Sequence, residues 1–203
     1  MNPLYYAVND QNEELVRKIL SEPHTSDDVN NNEYFGGRGP LHYAANNNLP
    51  KFISILLTDP LVDPNRMDDC GYTPFYYACS NNSVESAREL LKCDRVEVCI
   101  FQIHPKHGTC CSAFSEVVSM SHLKILKFWI ASGRRFPMND LYDWEMKIYS
   151  AWKGVLTDEI RGWFYGAGSE AEIRGTCELL SEYFSDPEAT KLRLSLEIKA
   201  EIS

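Results

Sequence analysis

No run in the sequence is apolar for long enough to cross a bilayer, and the opening Met1-Asn2-Pro3-Leu4-Tyr5 has neither the charged start nor the apolar stretch of a secretory signal. No membrane partner is expected, and the protein is expected to stay in the cytoplasm or reach the nucleus. An excess of positive charge is also missing. The net charge is −9, with 20 basic against 29 acidic residues, and the basic ones are scattered rather than gathered into a stripe that could follow a phosphate backbone. Phosphate backbones are therefore poor partners, and no nucleic-acid partner is expected.

Motifs for chemistry are equally scarce. Gly36-Gly37-Arg38-Gly39 lacks the Lys-Ser/Thr ending of a phosphate loop, and Gly166-Ala167-Gly168 follows no strand pattern. There is no nucleophile elbow. The carboxylate pairs Asp68-Asp69 and Glu13-Glu14 fall on expected surfaces, where such pairs are solvated. His104, His107, Cys110 and Cys111 are the one group with metal-ligand residue types, but adjacent cysteines cannot easily turn both sulfurs to one tetrahedral ion. Seven cysteines form an odd, irregular set in apolar segments, as in a reducing compartment where thiols serve as small buried hydrophobes. No enzyme activity, metal, cofactor or small-molecule substrate is expected.

What the chain does contain is a core-forming composition, 44% hydrophobic and 24% charged, arranged with self-similarity. Asn2-Pro3-Leu4-Tyr5-Tyr6-Ala7, Gly39-Pro40-Leu41-His42-Tyr43-Ala44-Ala45 and Thr73-Pro74-Phe75-Tyr76-Tyr77-Ala78-Cys79 align without gaps. Each is followed by a polar triplet (Asn9-Asp10-Gln11, Asn46-Asn47-Asn48, Ser80-Asn81-Asn82) and then an apolar-periodic stretch. From Pro3 to Pro40 and from Pro40 to Pro74 the steps are 37 and 34 residues. A fourth copy has lost its proline: Ala113 stands 39 residues after Pro74, and Ser121-His122-Leu123 opens the second stretch.

Proline at the first helical position has no backbone donor to lose and a φ already set for a helix, while Asn2 or Thr73 just before it can cap. Helices are thus predicted to begin at residues 3, 40 and 74, and the polar triplets to end them. Small pairs such as Ala44-Ala45 and Ala78-Cys79 sit where two helices must approach closely. In the second stretches Leu15, Ile19 and Leu20, or Phe52, Ile55 and Leu56, give one apolar stripe. One helix pair cannot bury that stripe alone, so stacking of repeats is required.

These segments resemble the ankyrin repeat, with its Thr-Pro-Leu-His-like turn before a short first helix and its Gly-His-like break before a second. The resemblance implies an all-α, ankyrin-repeat helical solenoid of about four recognisable repeats, approximately 1–32, 33–66, 67–104 and 105–138. Asp59-Pro60-Leu61-Val62-Asp63-Pro64-Asn65 and Cys93-Asp94-Arg95-Val96-Glu97-Val98 look like the family's extended return fingers. His42 and Thr73 stand at the turn positions, so structural hydrogen bonding is expected of them rather than chemistry.

Repeats are assigned to 1–133 and a tail to 134–203. The tail carries 13 acidic against 7 basic residues after position 139, and Trp144, Tyr149, Trp152, Trp163 and Phe164 make it too apolar to be solvated. Ser169-Glu170-Ala171-Glu172 has capping-box spacing, which predicts a helix at about 170–184. After Asp186-Pro187 the alternation of Leu192, Leu194, Leu196 and Ile198 suits a strand, whereas Lys, Glu, Ala and Leu favour the helix that is expected here. The tail reads as a degenerate fifth repeat plus a capping helix. Alternatively it is a separate functional domain that the repeats deliver to a target.

The resemblance further implies a protein-protein interaction scaffold or adaptor whose partner meets the concave first-helix face and the finger tips. Position by position, the first-helix pairs are Tyr6 with Asp10, Tyr43 with Asn47 and Tyr77 with Asn81, each four apart and so on one helix face. Tyrosine offers large contact area at small entropy cost, so this row is either an interface or packing between neighbouring repeats. The finger-tip candidates are Phe35, Arg38, Asp69, Tyr72 and His107.

Overall fold

The computed structural model describes residues 2–31, 36–103, 110–134 and 169–202, which divide into two compact units, Met1–Ala113 and Phe114–Ser203. The expected helix starts are met in the first unit. α1 (Pro3–Asn9), α4 (Pro40–Asn46) and α6 (Pro74–Ser80) each open on the repeat proline and run seven residues. Asn2 accepts the Tyr5 N–H and Thr73 the Tyr76 N–H, satisfying donors that the first turn of a helix leaves unpaired. The second helices are α2 (Glu13–Ser21), α5 (Pro50–Leu56) and α7 (Val84–Lys92).

Between first and second helix the chain turns through a left-handed residue in every repeat. Gln11 (φ 53°), Asn48 (φ 52°), Asn82 (φ 52°) and Ser121 (φ 54°) all stand at this point. A left-handed turn reverses the chain in a minimum of residues, and asparagine tolerates it better than most.

First helices pack side by side, α1 on α4 and α4 on α6, while α2, α5 and α7 form a second row behind them. The small residues fall at the contacts: Ala7, Ala44, Ala45 and Ala78 are all at most 1% exposed. Leu4, Ile53, Leu56, Phe75 and Leu90 fill the space between rows, and truncating any of them to alanine would cost about 2–5 kcal/mol. One predicted stripe needs correcting. On α2 it is Val16 that is fully buried, whereas Leu15 is 40% exposed, so the apolar stripe that reaches the neighbouring α1 and α5 is narrower than the sequence suggests.

The segments read as extended fingers, and the matching turn after α2, are turns tied down by buried valines, with Val98 beside Val96 in the last of them. Val29, Val62 and Val96 are at most 2% exposed. A short helix that the sequence reading missed, α3 (Ser26–Asn30), precedes the first tie and starts with a capping box between Thr25 and Asp28. Asparagines then bond from one turn to the next: Asn30 donates to Leu61 O and accepts from Asp63 N, and Asn65 donates to Arg95 O and accepts from Glu97 N. Arg95 reaches back to the carbonyls of Leu57, Asp59, Pro60 and Val62, satisfying acceptors beyond the end of α5. A two-stranded antiparallel ladder closes this unit, β1 (Phe101–Ile103) on β2 (Cys110–Ser112).

The second unit contains α8 (Ala113–Ser119) and α9 (Leu123–Ser132), a helix pair of the same kind without the proline, with Phe114, Val117, Ile125, Leu126 and Trp129 fully buried. Gly133 ends α9 in the left-handed conformation, and Lys191 passes so close that an added Cβ would lie 2.6 Å from its Nζ. The two expected tail helices are present. α10 (Glu170–Ser185) is capped by Ser169 and α11 (Pro187–Ile202) follows at once, both resting on α9. Arg193 of α11 joins Glu182 of α10, which sets the two helices as a hairpin. Trp144, Tyr149, Trp152, Trp163 and Phe164, and with them the start of the expected fifth repeat, lie outside the described residues.

Candidate functional site

Because α1, α4 and α6 lie side by side, one side chain from each can face a common space. Tyr5, Tyr43 and Tyr77 do so, joined by His42, Asn46 and Asn47 of the α4 segment and by Arg38 from the loop before it. Together they line a cavity of about 440 Å³. Tyr5 meets Tyr43 edge to face at 5.3 Å between ring centroids, a geometry favoured by the ring quadrupoles.

Asp68 anchors the far wall. Its side chain is 1% exposed, and its charge is met by three donors: the Cys70 and Tyr72 N–H groups at 2.9 Å to Oδ1, and the Tyr77 hydroxyl at 2.7 Å to Oδ2. Arg38 stands further off, with Nε 3.5 Å from Oδ2, and its Cζ lies 4.7 Å above the centre of the Tyr77 ring. Burial first, and the Asp68 carboxylate second, push the Tyr77 phenol far above its usual range, so it stays neutral.

His42 shows the structural role expected of it. Its Nδ1 accepts the Gly39 N–H at 3.1 Å, which leaves the proton on Nε2 to donate to Tyr72 O at 3.1 Å. Burial lowers its pKa to about 4, and the neutral ring has no nitrogen left to move a proton. The arrangement is built to hold and orient side chains rather than to transfer protons.

The predicted site residues separate into groups. Tyr43 and Asn47 line the cavity, and Asn47 also donates to Tyr43 O. Tyr77 lines it too, and at 7% exposed it is buried, with its hydroxyl bonded inward to Asp68. Its partner Asn81 donates to Asn46 Oδ1 in the neighbouring repeat. Tyr6 is half-buried and set edge-on to Tyr5, and Asp10 is exposed and bonded to Asn9. It is Tyr5, one position earlier than the aligned residue, that meets Tyr43. Of the finger-tip residues, Arg38 belongs to the cavity and Tyr72 stacks on Tyr76 at 4.3 Å, while Asp69 is exposed with its N–H bonded to Gly36 O. Phe35 and His107 lie outside the described residues, as does His104, while Cys110 and Cys111 are in β2. Sequence reading missed Tyr5, Asn46, Asp68 and the cavity role of His42. Only Asp68 left a signal, an aspartate ahead of a glycine turn, Asp68-Asp69-Cys70-Gly71.

Comparison with known proteins agrees with this architecture. The family model described as ankyrin repeats (3 copies) matches residues 4–102 and again 41–140. The chain belongs to the ankyrin-repeat family, and its fold is the expected helical repeat solenoid, to which the sequence reading did not add the short β1–β2 ladder. Among solved structures it is similar to the crystal structure of EF0377, an ankyrin repeat protein, with 22% identity and a TM-score of 0.53 over 66% of this chain, and it spans 62% of the length of that protein. No curated protein matches the sequence. Ankyrin repeats are in general protein-protein interaction modules, and among the described residues no helix is long and apolar enough to cross a membrane.

Proposed function

We propose that this protein is a non-catalytic scaffold or adaptor that binds another protein through the first-helix face of its repeats. The observation that carries the reading is the cavity between α1, α4 and α6, where tyrosines from three successive repeats converge with two asparagine amides and one arginine. Amphipathic rings beside adaptable polar groups are the chemistry of a protein interface. A net charge of −9 supports a protein rather than nucleic acid as partner, and the irregular cysteines support a reducing compartment, cytoplasm or nucleus. Tyr6, Asp10, Asn81, Asp69, Tyr72, Phe35 and His107 are proposed as the periphery of the same surface.

Affinity capture from the source cell tests this reading. Tyr43→Ala with Asn47→Ala removes contact groups that are half-buried or exposed, so the fold should survive. Loss of the captured partners is expected, and undiminished capture by the folded variant would overturn the first-helix reading.

A second reading is that the repeats deliver a separate C-terminal functional domain. What supports it is that α10 and α11 form a capped hairpin after residue 133, within a compact unit, Phe114–Ser203, that they share with α8 and α9. Limited proteolysis between residues 133 and 170 separates the two: a stable, folded tail fragment favours delivery, and joint collapse favours a cap.

A further inference from the structure

We propose that the cavity between α1, α4 and α6 selects a partner segment bearing a carboxylate side chain next to an apolar or aromatic one, with Arg38 as the group that reads the carboxylate. The inference rests on the first-helix reading above and names the chemistry of the partner.

Arg38 is the one ionised side chain among the seven residues that line the cavity, since His42 is neutral there. Its side chain is 49% exposed, whereas that of Asp68 is 1% exposed and out of reach of a ligand. The ionised group within reach of an incoming segment is therefore a cation, backed by the buried Asp68 carboxylate 3.5 Å from its Nε, although the protein as a whole is acidic. At physiological salt the Debye length is about 8 Å, so the local guanidinium outweighs the distant net charge.

Asp68 does not use up the guanidinium. The carboxylate already takes three hydrogen bonds from Tyr77, Cys70 and Tyr72, and its approach to Arg38 is a single 3.5 Å contact through Nε. Both Nη groups of Arg38 have no hydrogen-bond partner among the described residues, which leaves open the edge of the fork that binds carboxylates in a bidentate manner. The Tyr77 ring under Cζ fixes the plane of the fork before a ligand arrives, and the ring is itself held by Asp68. Little ordering is left to be done at binding.

The remaining walls fit what would follow the carboxylate. The Tyr5 and Tyr43 rings, locked edge to face, form an apolar side, and Asn46 and Asn47 border it with amides suited to a peptide backbone. A cavity of about 440 Å³ takes one or two side chains rather than a folded surface.

The test is selection of random dodecapeptides displayed on phage against the full chain and, in parallel, against Arg38→Ala and Arg38→Lys. Peptides enriched on the wild type should carry Asp or Glu beside an apolar or aromatic residue. Their synthetic forms should bind Arg38→Ala at least about tenfold more weakly, with Arg38→Lys recovering only part because it lacks the fork. Thermal unfolding confirms that each variant is folded, as expected for a side chain half in solvent. Enrichment of neutral or basic peptides, no enrichment, or equal binding to Arg38→Ala would overturn the proposal. Should Tyr43→Ala with Asn47→Ala abolish cellular capture while the selection shows no acidic preference, the first-helix reading stands and the carboxylate preference falls. The reverse pair of results would remove the first-helix reading for the cellular partner while leaving the cavity its specificity.

Discussion

The Tyr77 hydroxyl donates a 2.7 Å hydrogen bond to Oδ2 of Asp68, a carboxylate whose side chain is 1% exposed. A buried charge is tolerable only while its hydrogen bonds are complete. Tyr77→Phe leaves Oδ2 without its nearest donor, and urea unfolding should show a loss of about 1–3 kcal/mol. Asp68→Ala should cost more, about 3–5 kcal/mol, since it strands the phenol and two turn amides together. Equal stability of Tyr77→Phe and wild type would show that Arg38 or solvent takes over the oxygen.

His42 predicts an acid-sensitive fold. Its folded pKa of about 4 lies below the ordinary 6.5, so the folded state resists protonation of the ring. Stability from this residue is complete above pH 6.5 and is lost as pH falls through 6.5 toward 4, by about 3 kcal/mol in all. Urea midpoints at pH 7 and pH 5 measure the slope. His42→Gln should flatten it.

The left-handed turns predict stabilising substitutions. Ser121 combines φ 54° with a buried hydroxyl that has no hydrogen-bond partner. Ser121→Gly relieves both, and a gain of about 1 kcal/mol is expected after the added freedom of the unfolded chain is subtracted. Asn48→Gly should bring no such gain, because the Asn48 side-chain oxygen Oδ1, which glycine lacks, accepts the Ser86 N–H at 3.0 Å. Thermal unfolding of the two variants side by side decides the matter.

Gly39 is required by space rather than by conformation. Its φ of −77° suits any residue, but an added Cβ would stand 2.1 Å from Asn30 O. Gly39→Ala must push α4 away from the turn after α3, at about 1–3 kcal/mol. A variant as stable as wild type would mean that the turn gives way freely.

Local rules served the sequence reading well wherever one residue decides one feature. Pro3, Pro40 and Pro74 open helices, and Ser169 caps the helix it was expected to cap. The strand-like alternation after Pro187 was rightly set aside, since Lys, Glu and Ala propensity outweighs a period carried by Leu192 and Leu196, which are exposed. Illegible features were those decided by distant neighbours. The exposure of Leu15 depends on what α2 lacks beside it, and the choice of Tyr5 over Tyr6 depends on how α1 is rotated against α4. The inward turn of Tyr77 depends on Asp68, nine residues earlier, and on two turn amides that no pattern of side chains reports.

The left-handed turns have one more consequence. Pro3 to Gln11, Pro40 to Asn48, Pro74 to Asn82 and Ala113 to Ser121 are all eight residues, although successive units differ in length. Insertions and deletions are thus absorbed by the connections between units, and the tyrosine-bearing segment keeps an invariant gauge. An engineer could splice epitopes or linkers into those connections while leaving the first helices at their present pitch.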